Sequence, residues 1–390
     1  MDVLLLYPYL PHPGVAHGSG RLVAPLLGLW RDRGVRVTLV CGYRPHERDR
    51  LDATRATVER FFPVEMPLRS DRGPIGRVAE TARTAVKETL SGRPRFVMKL
   101  DRPAVRRAIR AARAAGRFDV AQVELAGFAS YVDEFAGLPS ILIDHEAGTA
   151  SGDELSADPR AVRFVHEVFP RFTRVAALSA EDAADLAAAA PGLRPLVRPV
   201  GATPPAASPY SEAEPGRLFF FGSAEHVPNH DAFAWLADEL WPQIRAARPD
   251  ASCAVATGVL PAPLMAKLAA AGIKHLGFVQ DINAEIRRAA VVLGPLRKGR
   301  GVRIKNVEAL AAGRPLVTTP LGARGLDLRH DEHALLAADG PAFVAAVVAL
   351  LADPSRAARL AAAGRAHLLS RFTHAAAADL NLAWWRDFRG

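Results

Sequence analysis

Short, predominantly apolar segments recur along the chain, and helical segments rich in alanine lie between them. The first two are Val3–Tyr7 and Val35–Cys41, separated by a helical pattern from Arg21 to Arg33 that ends before Gly34. A strand with no polar face is expected in a parallel sheet covered by helices on both sides. The pattern therefore predicts an α/β protein built from βαβ units.

A proline-rich stretch divides this pattern into two halves. Seven prolines fall between Pro191 and Gly216, where no apolar face recurs, and a second βα series begins at Leu218–Phe221. At 390 residues the chain is long enough for two domains. We predict a first Rossmann-like domain (1–195), a linker (196–216), a second Rossmann-like domain (217–370) and a terminal helix (371–390). Two doubly wound domains facing across a cleft would bind their ligand at the carboxyl ends of both sheets.

The cysteine content and the amino-terminal segment bear on location. Only Cys41 and Cys253 are present, which excludes a disulfide framework and fits a reducing compartment. The apolar run at 3–7 is too short for a signal sequence or a membrane span, and Asp2 stands where a signal would be basic. We predict a cytoplasmic protein, with a peripheral position at the inner membrane face as a further possibility.

The net charge of +9 comes from one segment. Residues 69–117 contain fourteen basic and four acidic side chains, a net charge of +10, and read as two helices, Ile75–Leu90 and Arg102–Ala115. Two interpretations stay open for Arg69–Arg117: a solvated basic surface over the first sheet, or contact with an anionic membrane or an anionic acceptor. Nucleic acid is not expected, because no aromatic residues alternate with the basic ones.

A basic loop and helix in the second half predict a phosphate site. A strand ends at Pro295, and a helix is predicted to begin near Gly301, in a run that contains five basic residues: Arg297, Lys298, Arg300, Arg303 and Lys305. Helix amino termini and basic side chains bind phosphate, and Glu308, one turn along, could accept two ribose hydroxyl hydrogen bonds. The alternative is an ordinary Lys305–Glu308 pair on a solvated face.

Polar residues also follow strands of the first half. His145 follows an apolar strand beside Asp144, and Glu124 ends the preceding strand, so both are predicted near a ligand. The alternatives are a histidine bonded to backbone, and a glutamate that caps a helix or faces solvent. Asn229 is predicted to cap a helix that begins at Asp231.

Together, several motifs resemble the GT-B nucleotide-sugar glycosyltransferases, specifically glycosyltransferase family 4. In the second domain they are Phe220–Ser223 with Pro228–Asn229, Leu276–Asp281, Gly301–Lys305 with Glu308–Gly313, and Thr319–Leu326. In the first domain the resemblance is looser and covers Gly14–Arg21, Gln122–Glu124 and Asp144–Glu146.

The resemblance implies retaining transfer of a sugar, of the hexosyltransferase type, from a nucleotide-diphosphate sugar to an acceptor hydroxyl. It implies that Glu308 holds the donor ribose, that His145 faces the reacting sugar and that both are catalytic-site residues. It places Gly222 and Ser223 at the donor phosphates. On the acceptor or donor-sugar side it places Gly18, Ser19, Gly20, Glu124 and Asp144, and it implies a terminal helix that crosses back to an acceptor-side first domain.

Arg300 departs from the family pattern, which often has a second acid eight positions before the first. A guanidinium binds phosphate, so Arg300, Arg303 and Lys305 are predicted to hold the diphosphate.

The chain has no two aspartates separated by one residue, the usual metal-binding pattern, so neither a metal ion nor a cofactor is predicted beyond the donor co-substrate. The acceptor, a carbohydrate or a natural product, is unidentified. A sugar-nucleotide epimerase and a non-catalytic subunit of a glycosyltransferase complex are the alternatives.

Overall fold

The chain divides into two compact units, each organised around one parallel sheet. The computed structural model describes residues 1–12, 18–67, 71, 73–145, 158–205 and 209–388. Unit 1 comprises Met1–Gly201 and His374–Gly390, and unit 2 comprises Ala202–Thr373. The predicted α/β class, with two doubly wound domains, is confirmed.

Unit 1 contains a seven-stranded sheet in the order β3-β2-β1-β4-β5-β6-β7, with every pair parallel. The strands are β1 (Asp2–Tyr7), β2 (Arg36–Tyr43), β3 (Arg60–Glu65), β4 (Val120–Glu124), β5 (Ser140–Asp144), β6 (Arg174–Ala177) and β7 (Leu196–Val197). The helices are α1 (Gly18–Asp32), α2 (Leu51–Arg55), α3 (Pro74–Ser91), α4 (Arg95–Leu100), α5 (Pro103–Ala114), α6 (Pro159–Val168) and α7 (Ala180–Ala189). Segments of 3₁₀ helix span Pro45–Arg50, Ala126–Phe135 and Phe169–Arg171.

Unit 2 contains a six-stranded parallel sheet in the order β10-β9-β8-β11-β12-β13. The strands are β8 (Arg217–Phe221), β9 (Ser252–Ala256), β10 (Lys274–His275), β11 (Val291–Gly294), β12 (Leu316–Thr318) and β13 (Leu335–Leu336). The helices are α8 (Val227–Trp235), α9 (Trp241–Ala247), α10 (Ala262–Ala270), α11 (Ile282–Arg288), α12 (Ile304–Ala311), α13 (Pro320–Ala323), α14 (Gly340–Ala352) and α15 (Pro354–Arg371). A π-helical turn, Leu236–Leu240, joins α8 to α9, and a 3₁₀ turn spans Tyr210–Glu212.

The last helix, α16 (His374–Arg386), packs within unit 1. Trp385 of α16 lies against Trp30 of α1 with ring centroids 5.0 Å apart, and both side chains are fully buried. Burial of such large aromatic surfaces attaches the end of the chain to the first sheet.

Several edge elements escape the sequence pattern. β7 begins at residue 196, inside the stretch predicted as a linker, and only two of its residues pair with β6. β3 contains Pro63, which a central strand would not tolerate, and it lies at the edge of the sheet. Strands of two residues, or strands interrupted by proline, carry too little periodicity to be read from sequence.

Within the described residues, no single helix combines the length and apolar character needed to cross a bilayer. α14 and α15 meet that criterion only as a pair, which is bent by 107°.

Candidate functional site

The strand order of unit 2 reverses between β8 and β11, which are hydrogen-bonded neighbours. In a parallel sheet, helices leave such a pair on opposite faces, and a crevice opens beyond the strand ends. The segments that follow these strands are residues 222–226 and 295–303. The basic loop predicted to bind phosphate therefore lies at the reversal point of the sheet.

Lys305 bridges the two segments. Its Nζ donates a hydrogen bond to Oδ1 of Asn229, and Nδ2 of Asn229 donates to the Ser223 carbonyl oxygen at 2.8 Å. The Nζ atom also lies 4.7 Å from the ring centroid of Phe220, in cation–π range. We call Gly222, Asn229 and Lys305 the lysine cradle.

The prediction that Asn229 caps a helix is wrong. The helix begins at Val227 with His226 at the N-cap position, so Asn229 lies inside the first turn, where it is buried. A buried amide needs hydrogen-bond partners, and this one finds them in Lys305 and Ser223. The sequence signal for Asn229 was its place in the Pro228–Asn229 motif, rather than its helix-capping character.

The environment of Lys305 disfavours its charged form. Burial, and then the charge of the neighbouring Arg303 guanidinium, lower the pKa of Lys305 to about 7, against the opposing effect of the Glu308 carboxylate. The pKa of His226 is also lowered, by loss of hydration and then by the charges of Lys305 and Arg303. Positive charge is therefore concentrated at this point of the sheet, as a phosphate site requires.

The five basic residues of the loop do not act alike. Arg297 and Lys298 pair with Asp231 at 3.1 Å, and Arg297 also stacks over Trp235. Arg303 donates to the carbonyl oxygens of Arg300 (2.7 Å) and Lys298 (3.2 Å), so its guanidinium shapes the loop. Lys305 bonds instead to Asn229, whose side-chain amide holds the Ser223 carbonyl oxygen in the segment after β8.

Helix α12 begins three residues later than predicted. Arg303 is its N-cap and Ile304 its first residue, because Gly299 and Gly301 hold left-handed conformations, with φ of 88° and 71°, that end any helix there. Glu308 lies one turn into α12, is partly exposed and is close enough to Lys305 to raise its pKa.

Gly222 is the tightest point of the lysine cradle. Its φ is 149°, and a Cβ there would stand 2.7 Å from Nζ of Lys305 and 2.8 Å from Nδ2 of Asn229. We expect Gly222→Ala to displace both side chains and weaken nucleotide binding by at least about tenfold, with about 1–3 kcal/mol lost in stability. Isothermal titration with a nucleoside diphosphate measures the first effect and urea unfolding the second.

Gly258 is the matched control, since it follows the neighbouring strand β9 and a Cβ there meets only the Phe278 ring, at 4.0 Å. We expect Gly258→Ala to leave nucleotide affinity within about twofold, because the new methyl group displaces nothing. Equal losses in both variants would contradict the role of the cradle.

Unit 1 holds a second constellation, buried at the carboxyl end of its sheet. Nε2 of His145 lies 2.5 Å from Oε2 of Glu124, and Arg198 donates to both Glu124 oxygens at 2.7 and 2.9 Å. Gln122 donates to Oε1 of the same carboxylate at 2.6 Å. All four side chains are at least nine-tenths buried. We call Gln122, Glu124, His145 and Arg198 the Glu124 network.

Charge pairing keeps Glu124 ionised in this network. Burial alone would raise its pKa, but the Arg198 charge, then the hydrogen bond and charge of His145, bring it down to about 2. An ionised carboxylate only accepts hydrogen bonds, so His145 carries its proton on Nε2. The Nδ1 atom of His145 is buried and has no hydrogen-bond partner among the described residues. The alternative of a histidine bonded to backbone is not what the structure shows.

Half of this network was not singled out from the sequence. Arg198 lay in the predicted linker, and Gln122 had a place in a motif but no role. Asn381 and Trp385 of α16 complete the set, donating to Oε1 of Gln122 at 3.3 and 3.0 Å. The available signal was Gln122-Val123-Glu124, two polar residues on one face of a strand otherwise expected to be apolar.

The remaining predicted residues of unit 1 occupy the same edge of the sheet. Gly18, Ser19 and Gly20 form the first turn of α1 rather than a loop, and Ser19 accepts a hydrogen bond from Tyr7 at 3.0 Å. Asp144 is the last residue of β5 and is buried. His17, Glu146 and part of Gly14–Arg21 lie outside the described residues. Within the part of the chain that is described, no three His, Cys, Asp or Glu side chains group so as to hold a metal ion.

Comparison with known proteins adds a family match for unit 2. Residues 215–353 match the model of the family described as glycosyl transferases group 1. This stretch contains the lysine cradle and Glu308. No curated protein sequence matches the chain.

Solved structures resemble the whole chain at low sequence identity. Sucrose-phosphate synthase from Thermosynechococcus elongatus has a TM-score of 0.76 at 15% identity, covering 99% of this chain and 98% of that one. HepE from Anabaena, in complex with UDP and glucose, has a TM-score of 0.68 at 14% identity, covering 99% and 100%. A TarM mutant from S. aureus, in complex with UDP and other ligands, has a TM-score of 0.72 at 7% identity, covering 98% and 99%. The predicted resemblance to GT-B glycosyltransferases is confirmed.

Proposed function

We propose that this chain transfers a sugar from a nucleotide-diphosphate donor to an acceptor hydroxyl. The observation that carries the proposal is the lysine cradle, which lies at the reversal point of the unit 2 sheet inside the group 1 glycosyl transferase match. Because structural relatives are solved with UDP and with UDP and glucose, UDP-glucose is the first donor to test.

The reaction needs positive charge at the leaving group. The bond between the anomeric carbon and the diphosphate oxygen breaks, the acceptor oxygen bonds to that carbon, and the acceptor proton leaves to a phosphate oxygen or a base. Protonated Lys305 and the amide groups that begin α12 would stabilise the departing diphosphate. Because the protein itself would supply these groups to the leaving diphosphate, they support a reaction without a metal ion.

His145 is proposed as the residue that faces the reacting sugar. Its support is the family resemblance together with the buried Nδ1 atom, while the other ring nitrogen is held by Glu124. An adjacent carboxylate orients an imidazole and stabilises its protonated form. Glu124 and Arg198 are therefore positioning residues. Retention of configuration, the hexosyl class of donor and a cytoplasmic location remain proposals that rest on the sequence.

The nucleotide placement is tested at Glu308. We expect Glu308→Ala to weaken UDP affinity by about ten- to a hundredfold, since two charge-assisted hydrogen bonds to ribose are lost. Affinity is measured by isothermal titration, and 2′,3′-dideoxy-UDP serves as the matched ligand. This ligand should bind wild type and Glu308→Ala with similar affinity, because it lacks the hydroxyls that Glu308 would hold.

Unchanged UDP affinity in Glu308→Ala would overturn the ribose assignment. A panel of UDP-, GDP-, ADP- and dTDP-sugars tests the activity itself. If UDP binds yet no donor is consumed with any acceptor, the chain would be assigned as a non-catalytic subunit of a glycosyltransferase complex. If the donor sugar is converted without transfer, the chain would be assigned as a sugar-nucleotide epimerase.

A further inference from the structure

Helix α3 of unit 1 turns its apolar side chains toward solvent and its polar side chains toward the protein, the reverse of an ordinary surface helix. Its most exposed apolar side chains are Ile75 (88%), Val78 (69%), Val86 (56%) and Leu90 (83%). At 100° per residue, Ile75, Val86 and Leu90 fall within one arc of about 60°, and Val78 lies about 60° beyond it, so the four share one face of about 120°. These four are half of the large apolar side chains that are exposed in the described part of the chain.

The face of α3 that points toward the protein is polar. Thr84 is 4% exposed, Glu80 pairs with Arg102 at 2.6 Å, and Glu88 pairs with Arg160 at 2.9 Å. Lys87 donates to the Asp101 carbonyl oxygen at 3.2 Å. These ion pairs and hydrogen bonds hold the polar side of the helix against the protein and leave its apolar side exposed.

The surroundings of this exposed face are cationic. The four acids of the segment 69–117 each take part in an ion pair: Asp71 with Arg44, Glu80 with Arg102, Glu88 with Arg160 and Asp101 with Arg106. Arg93 and Arg95 follow directly after the end of α3, and neither forms an ion pair within the described residues. Arg69 and Arg72 lie outside the described residues.

We propose that α3 docks on an anionic lipid bilayer, with its outward apolar side chains in the interfacial layer and Arg93 and Arg95 at the lipid headgroups. An apolar ridge flanked by arginine on a helix of 18 residues is the pattern of an interfacial helix. The excess positive charge favours an anionic bilayer as the binding partner of this face, because anionic headgroups attract each basic residue near the membrane surface. This inference stands apart from the proposed function, since it uses neither the lysine cradle nor the Glu124 network.

The test is flotation of the full chain with vesicles of phosphatidylcholine, with and without phosphatidylglycerol. Wild type should bind the anionic vesicles and release them at high salt. Val78→Ser/Leu90→Ser keeps the net charge and should lower the partition coefficient by about tenfold or more. The matched control is Val259→Ser/Met265→Ser, which removes two exposed apolar side chains of unit 2 and should bind as wild type does.

A second arm tests the charge. Arg93→Gln and Arg95→Gln should each weaken binding to anionic vesicles by about fivefold. Absence of wild-type binding at low salt would overturn the proposal, as would equal binding of wild type and Val78→Ser/Leu90→Ser. Self-association of wild type that is lost in that variant, without vesicle binding, would instead assign the face to a second copy of the chain.

Discussion

Arg198→Met is expected to destabilise unit 1 by about 3–5 kcal/mol at pH 7, because it leaves the buried Glu124 carboxylate without its counter-charge. The measurement is urea unfolding followed by circular dichroism. The double variant Glu124→Gln/Arg198→Met should lose less than the sum of the two single variants, since no buried charge then remains unpaired.

The stability difference between wild type and Arg198→Met should depend on pH. In the wild type, the pKa of Glu124 is about 2 against an ordinary 4.5, so the network contributes its full stability above pH 4.5 and loses it as the pH falls toward 2. In Arg198→Met, loss of the guanidinium should move the pKa of Glu124 upward, because burial then meets less opposing charge. The difference between the two proteins should therefore be largest at neutral pH and shrink in acid.

The exposed pair of Arg36 with Asp2 is the matched control. It has similar geometry, with hydrogen bonds of 2.7 and 2.5 Å, but the Arg36 side chain is 60% exposed. We expect Arg36→Met to cost far less stability than Arg198→Met, because water screens an exposed pair. A loss as large as that of Arg198→Met would show that burial is not the cause.

Lys305→Met is expected to lower kcat by about 10²–10³-fold in a transfer assay with the preferred donor. The side chain is held at the reversal point of the sheet by Asn229, where charge would develop on the leaving diphosphate. Lys298→Met is the matched control: it removes a lysine from the same basic segment, but one already paired with Asp231. Its effect should stay within about threefold.

The pKa of Lys305 predicts how nucleotide binding depends on pH. With a pKa of about 7, the free protein loses this charge as the pH rises through neutrality, so UDP affinity should fall there. Isothermal titration in buffers of different ionisation enthalpy should also detect proton uptake on binding. Both effects should be absent in Lys305→Met, and their persistence in that variant would assign the titration to another group.

Features of the fold that depend on neighbouring residues could be predicted from the sequence. The apolar strands and the basic loop after β11 are local patterns, and each lies where the sequence predicted it. The start of α12 was misplaced by three residues because glycine conformation, rather than composition, decides where a helix begins.

The pairing of charges could not be read from the sequence. Arg297, Lys298 and Lys305 are all basic residues of one short segment, yet Asp231 binds the first two and Asn229 the third. Such partners come from a different βα unit, and nothing local identifies them. The Glu124 network is a stronger case, since Arg198 and Asn381 lie 74 and 257 residues from Glu124.

By itself the sequence determined the α/β class, the two parallel sheets, the loop that carries the basic residues and the family resemblance. These follow from apolar periodicity and glycine placement, which act over a few residues. The tertiary structure decided which cations are neutralised, which histidine nitrogen is held and which face of α3 meets solvent. Those depend on contacts between residues far apart in the chain, and only the folded backbone brings such residues within hydrogen-bonding distance.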